Sequence, residues 1–339
     1  MSEESGHFSE AGSAEIVVAR NAKARDARLR QVMEIITRHL HAAVKEIEPT
    51  PEEWMEAIQF LTRTGQKCDE WRQEFILLSD VLGVSMLVDA LNNRQPSGAT
   101  ESTVLGPFHV AGAPALPNGA DIRLDGKGEP MVVHGRVVDR DGRPIAGATL
   151  DVWQANADGF YDVQQRGIQP DFNLRGVFRT DEEGRYWFRS AKPKFYAIPD
   201  DGPVGRLLRA LGRHPYRPAH LHAIVAAEGF RTVVTHLFDP QDPYIATDAV
   251  FGVKTSLLAR FEQVQDGERA AALGVTAPFW DVAQDFVLVR AAAAARTTEA
   301  PDIVVDAVRR AEMDPEHAPL DDLLSTQFPP GVLARDSER

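Results

Sequence analysis

The sequence predicts an α+β protein that is mainly β, an N-terminal helical domain followed by an antiparallel β-sandwich. Three observations predict it. From residue 25 to residue 91, apolar side chains recur at three- and four-residue spacings. Composition shifts at Pro96-Ser97-Gly98. Beyond that point short β-branched runs alternate with Gly, Pro and Asp clusters, the pattern of an antiparallel sandwich.

The elements follow in chain order. Residues 1–14 are small and polar and are expected to be disordered. A helical domain is expected over 15–105. Its first long helix, 25–47, carries Leu29, Val32, Ile36, Leu40 and Val44 as one apolar stripe. Thr50-Pro51-Glu52-Glu53 opens the next, with Thr50 as N-cap, Pro51 in the first turn and Glu53 closing a capping box. One or two further helices span 70–78 and 79–91. The sandwich domain is expected over 106–292. Residues 131–138 and 148–153 flank the turn Asp139-Arg140-Asp141-Gly142-Arg143-Pro144 and read as a hairpin. Strands follow at 177–180, 185–189, 219–225, 232–238 and 286–289. The remainder, 293–339, is an extension with an alanine run, a short amphipathic helix near 303–311 and a Pro- and Asp-containing tail.

Composition narrows the function. A net charge of −13 without a Lys/Arg run argues against nucleic acid or an anionic membrane surface as partner. The single cysteine, Cys68, excludes a disulfide framework and a thiolate cluster, and suits a reducing cytoplasm. The acidic, polar start predicts no secretory signal, and no stretch has the length and apolarity of a membrane span. A cytoplasmic protein is expected.

Chemistry concentrates at Arg217-Pro218-Ala219-His220-Leu221-His222-Ala223-Ile224-Val225. On a strand, His220 and His222 project from one face and offer a pair of metal ligands. A second His-x-His, His39 and His41, falls on a helix, where the side chains diverge by roughly 200° and cannot share an ion. Alternatively, His220 and His222 are satisfied strand residues. Tyr161 and Tyr196 each follow a strand within turn-like sequence and are candidates to return to the same sheet end. The competing reading is that they pack their rings and hydrogen-bond their hydroxyls. If all four join, two tyrosinates and a hydroxide balance a trivalent ion, which suits Fe(III) better than Zn(II). An Fe(II) facial triad would require a nearby carboxylate, and Glu228 lies beyond what reads as a turn.

Several separated motifs resemble the intradiol ring-cleaving dioxygenases. They are Gly135 to Asp139, Gly147 to Asn156, Gly159-Phe160-Tyr161, Pro193 to Tyr196, Asp201-Gly202-Pro203 and Arg217 to His222. The resemblance covers roughly residues 20 to 290. Within the family, Glu74 to Asp80 and Thr103 to His109 are similar to the hydroxyquinol branch.

That resemblance implies one Fe(III) per subunit held by Tyr161, Tyr196, His220 and His222, with Tyr196 and His222 axial. An aromatic diol or triol binds through two oxygens, displaces Tyr196 and is cleaved with O2 to a muconate, Tyr196 taking up a substrate proton. Arg217 is implied to stabilise charge developing on the ring. Leu77, Asp80, Val104, Leu105, Gly106, Pro107, Phe108, Ile198, Pro199 and Val250 are implied to line the substrate pocket. Asp80 would accept a hydrogen bond from the third hydroxyl of hydroxyquinol, benzene-1,2,4-triol; alternatively it caps the next helix. The resemblance also implies a homodimer through the N-terminal helices, with a lipid held at that interface. Where relatives carry Tyr-Pro-Ile-Pro, this chain has Tyr196-Ala197-Ile198-Pro199, a change that bears on the axial tyrosine's loop. Three readings compete with hydroxyquinol cleavage: a catechol or chlorocatechol dioxygenase, a cupin-like Fe(II) or Zn(II) site, and a β-sandwich binding module in which these side chains merely pack.

Overall fold

The structure is a computed structural model that describes residues 7–69 and 72–291. Residues 1–6 of the segment expected to be disordered, 1–14, lie outside the described residues, as does the expected extension 293–339. Ser13 and Ala14 of the 1–14 segment already belong to a helix, Ser13–Asn21. The chain forms two compact units that no single cut in the sequence separates. One takes the chain up to Val88 together with Ala197–Arg217 and Thr247–Phe251; the other takes the remainder.

The first unit is helical: α1 Ser13–Asn21, α2 Ala27–Ile47, α3 Pro51–Gln66, α4 Glu74–Val81 and most of α5 Val84–Asn92. Helix α2 begins where Asp26 accepts a hydrogen bond from the Leu29 amide, at 2.9 Å. The capping box of α3 forms as expected. Thr50 Oγ1 accepts from the Glu53 amide at 3.2 Å, and Glu53 Oε2 accepts from the Thr50 amide at 2.8 Å. The break between α4 and α5 falls at Gly83, whose φ of +73° is costly for any residue with a Cβ. His41 spends its Nδ1 on Ser13 Oγ, 3.0 Å away, and serves the packing of α1 on α2. The apolar stripe of α2 is exposed in the monomer at Leu29, Ile36, Leu40 and Val44, as are Trp54, Ile58 and Leu61 of α3. None of the described helices is long and apolar enough to cross a membrane.

The second unit is a sandwich. Its strands are β1 Pro130–Asp139, β2 Thr149–Gln154, β3 Arg175–Arg179 and β4 Arg185–Ala191. The short β5 Tyr196–Ala197 marks a crossing point between units, and α6 Pro203–Ala210 and β6 Tyr216–Arg217 belong to the first unit. The chain returns to the sandwich with β7 His220–Ala226, β8 Val233–Phe238, β9 Arg260–Val264, α7 Gly267–Ala272, β10 Phe279–Ala283 and β11 Phe286–Leu288. One sheet runs β3-β2-β7-β8, antiparallel throughout. The other is built on β1, flanked by β4 on one side and by β10 and β11 on the other. The β1–β10 and β1–β11 pairs are parallel, an addition to the antiparallel pattern.

The expected β1–β2 hairpin does not form. Ile145 N–H still donates to the Val137 carbonyl at 2.9 Å, so the turn starts as a hairpin would. At Gly147, with φ +69°, the chain is redirected, and β2 enters the opposite sheet. Strands β9 and β10 escape the sequence reading because Arg260, Glu262 and Gln263 interrupt the one, while the other spans only five residues.

Between the sheets, Met131 and Val133 of β1, Phe178 of β3 and Phe188 of β4 meet Leu150, Val152, Leu221, Ala223 and Val225. Phe178 and Phe188 stack with ring centroids 4.7 Å apart, both fully buried. Truncating Phe178 to alanine is expected to cost about 3–5 kcal/mol, from lost transfer energy and the cavity left behind. Urea unfolding checks this, and a loss under about 1 kcal/mol would contradict this packing. Since Leu221, Ala223 and Val225 face the core, the alternation of β7 puts His220, His222 and Ile224 on the opposite face of the sheet.

Candidate metal centre

Three strands build one row on that outer face. Trp153 of β2 pairs with His222 of β7, which in turn pairs with His236 of β8. In the adjacent row, His220 pairs with Phe238. Residues opposite one another across antiparallel strands share a face, so Trp153, His222 and His236 stand in line. Trp153 stacks on His222 at 4.6 Å and 12°.

Tyr161 reaches the row from the loop after β2. Asn156 folds that loop, its Oδ1 accepting from the amides of Asp158 at 2.9 Å and Phe160 at 3.0 Å. Gly159, at φ +86°, lies so close to the chain carrying Tyr196 that a Cβ would come within 2.9 Å of the Phe195 carbonyl oxygen and 3.3 Å of Tyr196 Cβ. The two tyrosine loops are thus pressed together at a position only glycine fills. Next to Tyr161, Asp162 is anchored by the buried Arg175, whose Nε donates to Asp162 Oδ1 at 2.8 Å and whose Nη1 donates to the Phe108 carbonyl at 2.7 Å.

The polar atoms converge. Tyr161 Oη lies 3.0 Å from His222 Nε2, and His220 Nε2 lies 3.1 Å from the same atom. The rings of Tyr161 and Tyr196 pack edge to face at 5.4 Å, and Tyr196 lies against His220 at 5.6 Å. All four side chains are buried. His220 Nδ1 is 2.7 Å from the Pro218 carbonyl, which accepts only if that nitrogen carries the proton. A neutral His220 then presents a lone pair at Nε2, the arrangement by which an outer hydrogen bond fixes a ligand's tautomer.

This donor set fits a metal ion. Two cis ligands about 2.1 Å from a common centre stand about 3 Å apart, the spacing found here. With both Nε2 atoms unprotonated their lone pairs repel across 3.1 Å, and a cation between them relieves that repulsion. A phenol ligates well only once it has lost its proton, which a nearby metal ion promotes. Tyr186 provides the contrast. It is also buried, but its hydroxyl donates to the Gln284 carbonyl at 2.7 Å, and desolvation drives its pKa well above that of a free phenol. Tyr186 is the packed tyrosine that the alternative reading describes.

Comparison with known proteins gives the family. Residues 26–100 match the model of the catechol dioxygenase N terminus, and residues 105–289 match a dioxygenase family model. Hydroxyquinol 1,2-dioxygenase of Rhizobium sp. (strain MTP-10005) is 70% identical over 286 residues, 84% of this chain and 97% of the relative. The chain belongs to the intradiol ring-cleavage dioxygenase family. The 6-chlorohydroxyquinol 1,2-dioxygenase of Cupriavidus pinatubonensis is 54% identical, over 74% of this chain and 91% of that one. A solved hydroxyquinol 1,2-dioxygenase from Pseudomonas putida DLL-E4 superposes with a TM-score of 0.79 at 47% identity, covering 83% of this chain and 99% of the other.

As an intradiol dioxygenase, the chain is an enzyme, and the binding-module reading falls away. Its other expected site residues divide between the units. In the sandwich unit, Gly106 presses on His222, since a Cβ there would come within 3.0 Å of His222 Cε1. Phe108 stacks on Tyr161 at 4.6 Å. Val104 and Leu105 are half-buried and Pro107 is exposed, on the same segment.

In the helical unit, Arg217 is buried and pairs with Asp248 through both nitrogen–oxygen contacts, at 3.1 and 3.2 Å. Asp248 Oδ1 also accepts from the Val250 amide at 3.3 Å. Asp80 sits in the last turn of α4, one turn beyond the half-buried Leu77. Its carboxyl is pushed above the usual range, mainly by desolvation, while the Ser85 hydroxyl and the Arg217 charge pull it down and Asp248 pushes it up. Its hydrogen bond to the Ser85 side chain places it beside the start of α5. Ile198 and Val250 are buried, and Pro199 is half-buried.

His236 escaped the sequence reading. Its polar atoms gather with those of His220 and His222 within 4.8 Å, and all three residues are buried. The inner positions Val233, Thr235 and Leu237 would have exposed it as an outer-face residue, but only once the β7–β8 register was known. Glu228, the weak carboxylate candidate, is exposed in the β7–β8 connection.

Proposed function

We propose that this intradiol dioxygenase cleaves hydroxyquinol to 3-hydroxy-cis,cis-muconate and maleylacetate, using one ferric iron per subunit held by Tyr161, Tyr196, His220 and His222. The convergence of one phenol oxygen and two imidazole nitrogens at 3.0–3.1 Å carries this reading. Held by these four side chains, ferric iron would supply the electron-withdrawing centre that makes a catecholate ring reactive toward O2. Tyr161, His220 and His222 would hold the ion, their polar atoms meeting at 3.0–3.1 Å. Tyr196, whose ring lies against those of Tyr161 and His220, would take up a substrate proton on its phenolate oxygen. Arg217, held in orientation by Asp248, offers a fixed positive charge to the ring as negative charge develops there. Phe108, stacked against Tyr161, and Gly106, against His222, exclude water around the ligands.

Hydroxyquinol is favoured over catechol by the names of the relatives at 70% and 47% identity and by Asp80. A half-buried carboxylate accepts a hydrogen bond from a third ring hydroxyl, and a ring without that group leaves the acceptor unpaired. We further infer a homodimer that buries the exposed apolar faces of α2 and α3, with a lipid at that interface, in the cytoplasm. The helical region 15–105 serves as dimerisation and roof domain, and 106–292 as the catalytic domain.

The test is oxygen uptake by the iron-loaded protein with hydroxyquinol, 6-chlorohydroxyquinol, catechol and a chlorocatechol, with product spectra recorded alongside. The expected order places hydroxyquinol first, with maleylacetate as product. Preference for catechol would keep the ring-cleaving chemistry and remove Asp80 from the specificity argument.

A further inference from the structure

We propose that His236 is a positioning residue for the metal centre: its flat ring locks the two histidine ligands in their metal-binding orientations. The inference rests on the four-residue iron site proposed above. His236 is 1% exposed, on β8 directly across from His222. Its ring lies nearly parallel to that of His220, 4.6 Å away at 23°, and meets His222 edge to face, 4.1 Å away at 79°. Trp153 covers the face of His222 at 4.6 Å, and Phe238 flanks His220 at 5.4 Å. Turning His222 about its Cβ–Cγ bond drives the ring into Trp153 or His236. Turning His220 breaks both its stack on His236 and the hydrogen bond from its Nδ1 to Pro218.

The same geometry argues against His236 as a third histidine ligand. An imidazole lone pair lies in the ring plane, whereas His236 is stacked on His220 and turns its ring face to that ligand. His220 and His222, at 66°, do converge, with Nε2 atoms 3.1 Å apart. What His236 supplies is a face for one ligand and a wall for the other. Groups that orient ligands in this way are worth about 10- to 100-fold in metal affinity.

Two variants separate the flat face from the nitrogens. His236→Phe keeps a flat ring, whereas His236→Leu fills similar space without one. Apoprotein folding is checked by thermal unfolding, iron retention by competition with a chelator, and site symmetry by the tyrosinate-to-iron absorption band and the Fe(III) EPR signal. His236→Leu is expected to release iron about 10- to 100-fold more readily, with a shifted band and altered EPR rhombicity. His236→Phe is expected to stay within about threefold of wild type with its band in place. If the leucine variant does not fold, His236→Gln takes its place, with the same expectation. Wild-type retention and spectra in the non-planar variant would overturn the proposal. So would an equal loss in His236→Phe, which would assign the role to a nitrogen. Wild-type protein that holds no iron and shows no band would instead overturn the iron site itself.

Discussion

Replacing His222 with alanine is expected to cost iron retention and ring cleavage together, by more than about 100-fold, which exceeds the loss from removing an outer partner of a ligand. His222 is the hub of the cluster: its Nε2 lies within 3.1 Å of both Tyr161 Oη and His220 Nε2. Losing it leaves the remaining donors without their common neighbour and leaves Trp153 facing a cavity. Iron content by elemental analysis and turnover with hydroxyquinol are the two readouts. A variant that retained iron at wild-type stoichiometry would show that the ion sits elsewhere. His39→Ala is the matching control on α2, where iron content and turnover are expected to stay at wild-type level.

The second large effect concerns Asp80. Asp80→Ala is expected to lower kcat/KM for hydroxyquinol by about 10- to 100-fold, the worth of a hydrogen bond to a charged acceptor. Turnover of catechol is expected to change by less than about threefold, because catechol lacks the hydroxyl in question. Equal losses on both substrates would reduce Asp80 to a structural partner of Ser85. Stability gives an independent readout. Burial raises the pKa of Asp80 in the folded state, so ionisation opposes folding. The stability it contributes is complete below the unfolded value of 3.8 and is lost as pH rises through the folded value. Asp80→Asn is therefore expected to be more stable than wild type at neutral pH, with the difference closing toward about pH 3. Urea unfolding across that range checks it, and a neutral-pH loss would contradict the desolvation of this carboxyl.

The sequence carried the local rules well and the long-range ones poorly. Thr50, Pro51 and Glu53 specify a helix start through contacts three residues apart, and that start is present. His220 and His222 share a face because a strand has a period of two, which needs no knowledge of neighbours. The β1–β2 connection failed for the opposite reason. Its turn residues are those of a hairpin, and only the demand of two packed sheets for alternating partners sends β2 across the sandwich. His236 was hidden in the same way: its place depends on register with a strand about a dozen residues earlier, not on any motif around it. Asp80, Arg217 and Asp248 lie far apart in the chain, and the coupling of the first to the other two appears only once they are folded together. The link between Gly159 and Tyr196 is likewise invisible in sequence, since a glycine at close approach looks like any turn glycine.

The visible absorption spectrum of the purified, iron-loaded protein tests the central claim most directly. Tyrosinate-to-Fe(III) charge transfer is expected to colour the wild type red to burgundy, and Tyr196→Phe to bleach or shift the band while the protein keeps iron on its remaining ligands. A colourless protein with a full complement of metal, or a spectrum unchanged by Tyr196→Phe, would contradict the tyrosinate site.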